Sequence, residues 1–229
     1  MNPNDKIHRP IRSFVLRQGR MTGMQERALT DHWPHFGLEI DSGMLDLTAL
    51  FGRDAPRILE IGFGMGDALA DMALAQPAQD YIGIEVHRPG VGRLMGRLVE
   101  QGSDNVRIFN HDAVEVLKRS IPDASLDGVL LLFPDPWHKS RHHKRRIVQA
   151  AFIEAVRTKL KPGGLFHMAT DWEEYAQWMM EKMEAAPGYK NQAGSNSYSE
   201  RPDYRVLTKF EKRGQRLGHG IWDLIFQRT

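Results

Sequence analysis

From Arg57 onward the chain alternates short apolar runs with longer stretches in which apolar residues recur three or four positions apart. Residues 57 to 62, 81 to 86, 106 to 110, 128 to 133 and 165 to 169 are brief, rich in Ile, Leu and Val, and bounded by turn-forming residues. Such runs read as strands buried on both faces. Between and after them, 67 to 75, 89 to 101, 114 to 119, 147 to 159 and 172 to 185 keep the helical period. Strands alternating with helices predict an α/β fold with a parallel sheet covered on both sides. Lys161-Pro162-Gly163-Gly164 is expected to end the fourth of these helices, and Ala186 to Asp203, rich in Gly, Asn, Ser and Pro, is expected to be a loop. Tyr204 to Phe210 and Ile221 to Phe226 read as two strands of an antiparallel hairpin that closes the sheet.

Upstream the pattern is weaker. Trp33-Pro34 and Asp41-Ser42-Gly43 look like turns, and Met44 to Phe51 like a short helix. Residues 1 to 30 are poorly periodic and basic: Lys6, Arg9, Arg12, Arg17, Arg20 and Arg27 stand against Asp5 and Glu26. The expected organisation is a basic arm over residues 1–30 and a single domain over residues 31–229; the arm reads either as a solvated tail or as a segment that orders on RNA.

Composition narrows the chemistry. The 229 residues carry a net charge of only +2, so attraction to a polyanion must come from local clustering. No apolar run is long enough to span a membrane and no signal-peptide pattern is visible, so the cytoplasm is the expected compartment. The chain has no cysteine, which removes disulfides, thiolate zinc sites and thiolate nucleophiles. A group transfer must then use a nucleophile that the substrate brings.

The first strand runs into Glu60-Ile61-Gly62-Phe63-Gly64-Met65-Gly66-Asp67. A dinucleotide fingerprint needs Gly-x-Gly-x-x-Gly, but here Asp67 holds the third glycine's place. A carboxylate at a helix start is a poor neighbour for pyrophosphate and suits a cationic ligand. Glu85 ends the second strand, where it can accept ribose hydroxyls, and Asp112 closes the third, where it can take an exocyclic adenine amine. Acids at three strand ends without a phosphate-binding lysine fit S-adenosylmethionine better than NAD or ATP.

Leu130 to Phe133 lead into Pro134-Asp135-Pro136-Trp137-His138-Lys139 and then Ser140 to Arg146. The prolines stiffen the backbone around Asp135, just past a strand's carboxyl end, where open α/β sheets bind ligands. Lys139 to Arg146 hold five Lys or Arg, two His and no acid, a pattern suited to phosphates. His138 and His142 are one helical turn apart, but the surrounding cations oppose a divalent ion, and no metal is expected. Trp137 reads equally as a base-stacking ring or a packing anchor.

Gly83-Ile84-Glu85-Val86-His87-Arg88-Pro89-Gly90-Val91-Gly92, Phe133-Pro134-Asp135-Pro136-Trp137-His138-Lys139, Ala169-Thr170-Asp171-Trp172-Glu173 and Thr208-Lys209-Phe210-Glu211 together resemble the bacterial tRNA (guanine-N7)-methyltransferase family, from about Arg12 to Arg228. The resemblance implies a Rossmann-like, class I S-adenosylmethionine-dependent methyltransferase: a mostly parallel seven-stranded sheet, helices on both faces and a C-terminal antiparallel hairpin. It implies donor contacts from Glu60, Gly62, Gly64, Glu85, Asp112 and Asp135, with Asp135 also catalytic. It implies a target-guanosine site at Lys139, Asp171, Thr208, Lys209, Phe210 and Glu211, and RNA contacts from Arg141, His142, His143, Lys144, Arg145 and Arg146. The implied product is 7-methylguanosine in the tRNA variable loop, made by a monomer or homodimer; the choice of N7 rests on the likeness alone.

Plainer readings compete at two places. Thr170-x-x-Glu173 has the spacing of a helix capping box, and Thr208-x-x-Glu211 shares it, although Lys212-Arg213-Gly214 is a poor helix start. Rival functions are a small-molecule methyltransferase, which leaves the basic run unexplained, a non-catalytic RNA-binding protein and a nicotinamide oxidoreductase.

Overall fold

The computed structural model describes residues 12–15, 19–206, 211 and 220–229. Seven helices and eight strands are described: α1 (Gly23–Phe36), β1 (Gly37–Leu38), α2 (Leu47–Phe51), β2 (Arg57–Ile61), α3 (Asp67–Ala75), β3 (Asp80–Ile84), α4 (Arg88–Gln101), β4 (Val106–Phe109), α5 (Ala113–Arg119), β5 (Leu126–Leu132), α6 (Ala150–Lys159), β6 (Leu160–Thr170), α7 (Glu173–Glu184), β7 (Tyr189–Asn191) and β8 (Trp222–Arg228). The strands form one sheet in the order β1-β4-β3-β2-β5-β6-β8-β7. It is parallel from β1 to β6, and β8 is antiparallel to both β6 and β7.

Alternation along each strand sends side chains to two separate cores. Leu59, Val129, Leu131 and Phe166 meet Val116 of α5, Phe152 and Ile153 of α6 and Met179 of α7. On the other face Tyr81, Ile108 and Leu130 meet Leu29 of α1, Leu69 of α3 and Leu94 and Leu98 of α4. The chain reverses direction across the sheet between β2 and β5, which opens a crevice at their carboxyl ends.

The sheet has eight strands rather than seven. The two short ones, β1 and β7, are two and three residues long, too short to leave a periodic signal. The expected C-terminal antiparallel pairing is present, but one of its strands needs correction. The antiparallel partner of β8 is Tyr189–Asn191 (Tyr189 opposite Arg228), inside the stretch expected to be a loop. Tyr204 lies in a turn and Arg205 in a bend, while residues 207–210 lie outside the described residues. Asn191 carries no β propensity, but its amide bridges Glu184 and the carbonyl of Ser197, and that holds the short strand in place.

Lys161 to Gly164 do not end a helix before a separate strand. They lie within β6 and take up the register shift against β5, where Leu126 faces Leu160 and Gly128 already faces Leu165. Trp33-Pro34 is not a turn. Pro34 sits in the last turn of α1, where it removes the amide that would bond the Thr30 carbonyl, and the helix ends two residues later. That helix opens at Gly23 with a capping box between Thr22 and Gln25, so the end of the expected basic arm is helical and packed on α4. Among the described residues no helix is long and apolar enough to cross a membrane.

Candidate active site

The loop between β2 and α3 passes Gly62 at φ 76°, Gly64 at φ 59° and Gly66 at φ 76°. These are left-handed conformations that side chains resist. At Gly64 a Cβ would meet nothing within 4 Å, whereas at Gly90, in the first turn of α4, it would lie 1.9 Å from the Gly64 carbonyl oxygen. Only hydrogen on Gly90 lets α4 butt against the glycine loop and fix its shape.

Glu85 fixes the same loop from the other side. Its Oε2 accepts from the Gly64 amide at 2.7 Å, and its Oε1 accepts from Val86 at 2.7 Å and His87 at 2.9 Å. Three amides occupy about three of the carboxylate's four lone-pair directions, which leaves room for about one further strong contact rather than the pair of hydroxyls expected. Glu60, at the end of β2, is 3% exposed, and its Oε2 has no partner among the described residues. Burial, and then the charge of Glu85, push its carboxyl up to about 8, so it is mostly protonated at neutral pH. Asp112 caps α5 by accepting from the Val114 amide at 3.0 Å.

Asp67 does not serve the role read from its position. It sits between Arg93 and Arg97 of α4, with Oδ1 at 2.9 Å from each. Partial burial works to raise its pKa, but the two guanidiniums outweigh it and hold the carboxyl below its ordinary value. The acid after the glycines is therefore a brace between α3 and α4, and the acids that face ligand space are Glu85, Asp112 and Asp135.

Two adjoining cavities occupy the crevice. One, of about 280 Å³, is lined by Gly62, Glu85, Val86, Asp112, Phe133 and Asp135, among others. The second, of about 570 Å³, is lined by Phe14, His87, Asp135, Trp137, His138 and Lys139, among others. Phe14, Glu85, Val86 and Asp135 border both. Among the described residues no lysine or arginine lines the first cavity, and that acidic lining with an open glycine backbone fits a ligand carrying a sulfonium and an ammonium.

Asp135 is exposed, and its loop is bracketed by two non-glycine residues in left-handed conformation, Phe133 at φ 54° and Trp137 at φ 47°. Each such residue costs on the order of 1–3 kcal/mol and persists only where its surroundings impose it. Here the Phe133 amide donates to the Ala169 carbonyl at 2.8 Å, and the Trp137 indole donates to the Ser13 carbonyl at 3.1 Å. Arg145 lies 3.9 Å from the centre of the Trp137 ring and also donates to the carbonyls of Arg12 and Phe14. Trp137 thus anchors the N-terminal segment 12–15 over the crevice, and Phe14 becomes a lining residue of both cavities. No periodicity marked Phe14; the one hint was its place between the arginines of the basic arm.

The basic run divides by burial. It forms a 3-10 turn, Ser140–Arg145. Lys139, Arg141 and Lys144 are exposed. His142 lies 5.9 Å from Trp137. Slight desolvation, then Arg141, Arg145, Lys139 and Lys144, lower its pKa. His143 is half-buried and faces Glu174 and Trp178. Arg146, expected as an RNA contact, is 2% exposed and committed inside the protein, so it is removed from that set.

Of the residues expected around the target, Lys139 lines the second cavity and Asp171 is exposed at the turn after β6. The capping box read at Thr170 and Glu173 is not formed. The helix cap is Trp172, and the Thr170 hydroxyl accepts from the Trp172 amide at 3.2 Å. Thr208, Lys209 and Phe210 lie outside the described residues. Glu211 is 2% exposed and ion-paired with Arg205, itself 1% exposed, whose Nη2 donates to Asp223 Oδ2 at 2.9 Å. Asp223 in turn meets His167 at 2.7 Å, and His167 meets the Tyr204 hydroxyl at 3.0 Å. Sequence reasoning missed Arg205, because nothing in the local pattern marks an arginine as buried.

The model of a family described as "Putative methyltransferase" matches residues 54–224. The chain is 59% identical over 223 residues to the tRNA (guanine-N(7)-)-methyltransferase of Alcanivorax borkumensis, covering 97% of this chain and 93% of the relative. It is 60% identical over 228 residues to the protein of the same name from Ectopseudomonas mendocina, covering 100% and 96%. Among solved structures, the 16S rRNA methyltransferase KamB superposes with a TM-score of 0.59 at 14% identity, over 81% of this chain and 94% of that one. A mutant form of the 16S rRNA (adenine(1408)-N(1))-methyltransferase from Catenulisporales acidiphilia gives 0.56 at 14% identity, over 84% and 94%. The structural likeness shows the class I methyltransferase fold, and on sequence the chain belongs to the tRNA (guanine-N(7)-)-methyltransferase family, whose methyl donor is S-adenosylmethionine.

Proposed function

We propose that the protein transfers the methyl group of S-adenosylmethionine to N7 of a guanosine in the variable loop of tRNA, giving 7-methylguanosine. The observation that carries this reading is the placement of Asp135 on the border of two cavities, one acidic and bordered by Gly62, the other lined by Lys139 and by His142 of the basic turn. The first suits the donor, held by Gly62, Gly64, Glu85 and Asp112 with Glu60 behind them. The second suits a nucleotide. A tRNA substrate places the work in the cytoplasm, and the chain acts as a monomer or homodimer.

The donor supplies a methyl group made electrophilic by its positively charged sulfur. Guanine N7 has a free lone pair in the neutral base, so the N7–carbon bond forms and the sulfur–carbon bond breaks without a proton leaving first. The protein's task is then positioning and charge stabilisation. Asp135 accepts hydrogen bonds from the guanine N1–H and exocyclic amine, turns N7 toward the methyl group, and offsets the positive charge that grows on the ring. Lys139 and the exposed cations beyond it hold phosphates.

Methyl transfer from tritium-labelled donor to unmodified tRNA, followed by nucleoside analysis, tests the reading. Label in 7-methylguanosine is expected, with Asp135→Asn losing at least ~100-fold in kcat while keeping donor affinity within a few-fold. Label in another nucleoside, or an Asp135→Asn variant with wild-type kcat, overturns it.

A further inference from the structure

Two aromatic rings from different elements meet beside the second cavity, and the chemistry above uses neither. His138, on the loop after β5, is exposed and lines that cavity. Trp172, on the turn between β6 and α7, has its ring centroid 4.2 Å from that of His138, with the planes at 72°. A tryptophan serving only as packing is normally covered, yet Trp172 is 39% exposed.

The backbone that carries each ring is fixed. The Trp172 amide is bonded to the hydroxyl of Thr170, which is 1% exposed and paired with Trp222 of β8. Pro136, two residues before His138, has its carbonyl held by Arg146 at 2.8 Å. Lys139 follows one ring in the chain and Asp171 precedes the other. An ammonium and a carboxylate flanking a preformed aromatic surface match the two ends of a nucleotide, its phosphate and its base edge.

We propose that His138 and Trp172 form a stacking wall for an unpaired purine of the RNA substrate, the target guanine itself; this rests on the methyl-transfer reading above. The base presents its N–H edge to carboxylates, as Asp135 and Asp171 require, while its ring face stacks on Trp172, and His138, at 72° to the indole, closes the side. Stacking on aromatic side chains tolerates any base, so the wall supplies affinity and orientation, and the carboxylates select guanine.

The test is binding of unmodified tRNA to the full chain in the presence of S-adenosylhomocysteine, so that no turnover occurs, with steady-state methyl transfer measured alongside. Trp172→Ala is expected to weaken tRNA binding roughly 5- to 150-fold and to raise KM correspondingly. Trp172→Phe, which keeps a ring, should stay within about 3-fold of wild type. The affinity for S-adenosylhomocysteine, measured by calorimetry, should be unchanged in both. Wild-type tRNA affinity in Trp172→Ala overturns the proposal. So does a loss that Trp172→Phe shares and that tracks a lower melting temperature and weakened S-adenosylhomocysteine binding, since that marks a packing residue. If wild-type protein does not make 7-methylguanosine, the functional reading fails, whatever the Trp172 variants do to RNA affinity.

Discussion

Arg146 Nε donates to the carbonyl of Pro136 at 2.8 Å, which makes the last cation of the basic run a strut for the loop that carries Asp135. Its Nη2 reaches Glu174 at 2.9 Å, and its guanidinium lies 5.0 Å from the Tyr175 ring and 5.2 Å from that of Trp178. A planar fork satisfies all of these partners at once, and a lysine ammonium cannot. Replacing Arg146 by Gln or Lys should therefore lower the stability of the whole protein, by about 2–4 kcal/mol. Urea denaturation followed by tryptophan fluorescence measures this; an unchanged midpoint for Arg146→Gln would mean the strut contributes nothing.

Lys139, Arg141 and Lys144 should behave in the opposite way. They are exposed, so changing any of them to Gln leaves the stability within about 0.5 kcal/mol of wild type. If all three meet phosphates, log K for tRNA falls with log salt at a slope of roughly −2 to −3. Each substitution then reduces the steepness by about 1. Binding isotherms over a series of salt concentrations decide the matter. A slope that is flat in wild type, or unmoved in the triple variant, removes the basic turn from the RNA interface.

Arg205 tests how the C-terminal segment is held. Its guanidinium pairs with Glu211 and Asp223, both nearly fully buried, and lies 5.5 Å from the ring of Phe133, two residues before Asp135. Removing one partner from a buried charge cluster leaves the others under-compensated and costs about 3–5 kcal/mol. Arg205→Met should therefore be strongly destabilised, and Arg205→Lys intermediate. Below its melting temperature, Arg205→Met should also show a raised KM for tRNA. Both follow because this arginine joins Glu211 to the Asp135 loop. Wild-type stability in Arg205→Met would refute the link.

Much of this architecture is legible from periodicity. Helix α3 runs from Asp67 to Ala75 as read, and the β2–α3 glycines, Glu85 and Asp135 all sit at strand ends, because buried parallel strands announce themselves as unbroken apolar runs. What escapes is non-local. The three-residue strand at Tyr189 is made by its pairing with β8 and by Asn191's amide contacts, not by its own composition. Arg146 and Arg205 look like surface cations in sequence, because the carbonyls, acids and rings that neutralise them come from elsewhere in the chain. For Arg146 a faint signal exists: Glu174, Tyr175 and Trp178 share a helical face suited to a guanidinium. Asp67 escapes for the same reason, since Arg93 and Arg97 lie 26 and 30 residues away.

Glu60 yields a prediction in pH. Burial and the neighbouring charge of Glu85 push its carboxyl from 4.5 up to about 8 in the folded protein. The folded state thus holds the proton more tightly than the unfolded chain. The stability linked to this group is fully present below about pH 4.5 and is lost as pH rises toward about 8. Glu60→Gln, which imitates the neutral acid, should flatten the fall in melting temperature between about pH 5.5 and 8 and leave the protein at least as stable as wild type at about pH 8. Donor binding adds an independent readout. A cationic ligand favours the ionised carboxylate, so S-adenosylmethionine should bind more tightly as pH rises through this range. At neutral pH its binding should release a proton, detectable by calorimetry in buffers of different ionisation enthalpy. Glu60→Gln should bind without that release. Proton release equal in the two proteins would show that Glu60 stays neutral with the donor in place, and that Glu85 and Asp112, acids of the donor cavity, carry the recognition of its charge.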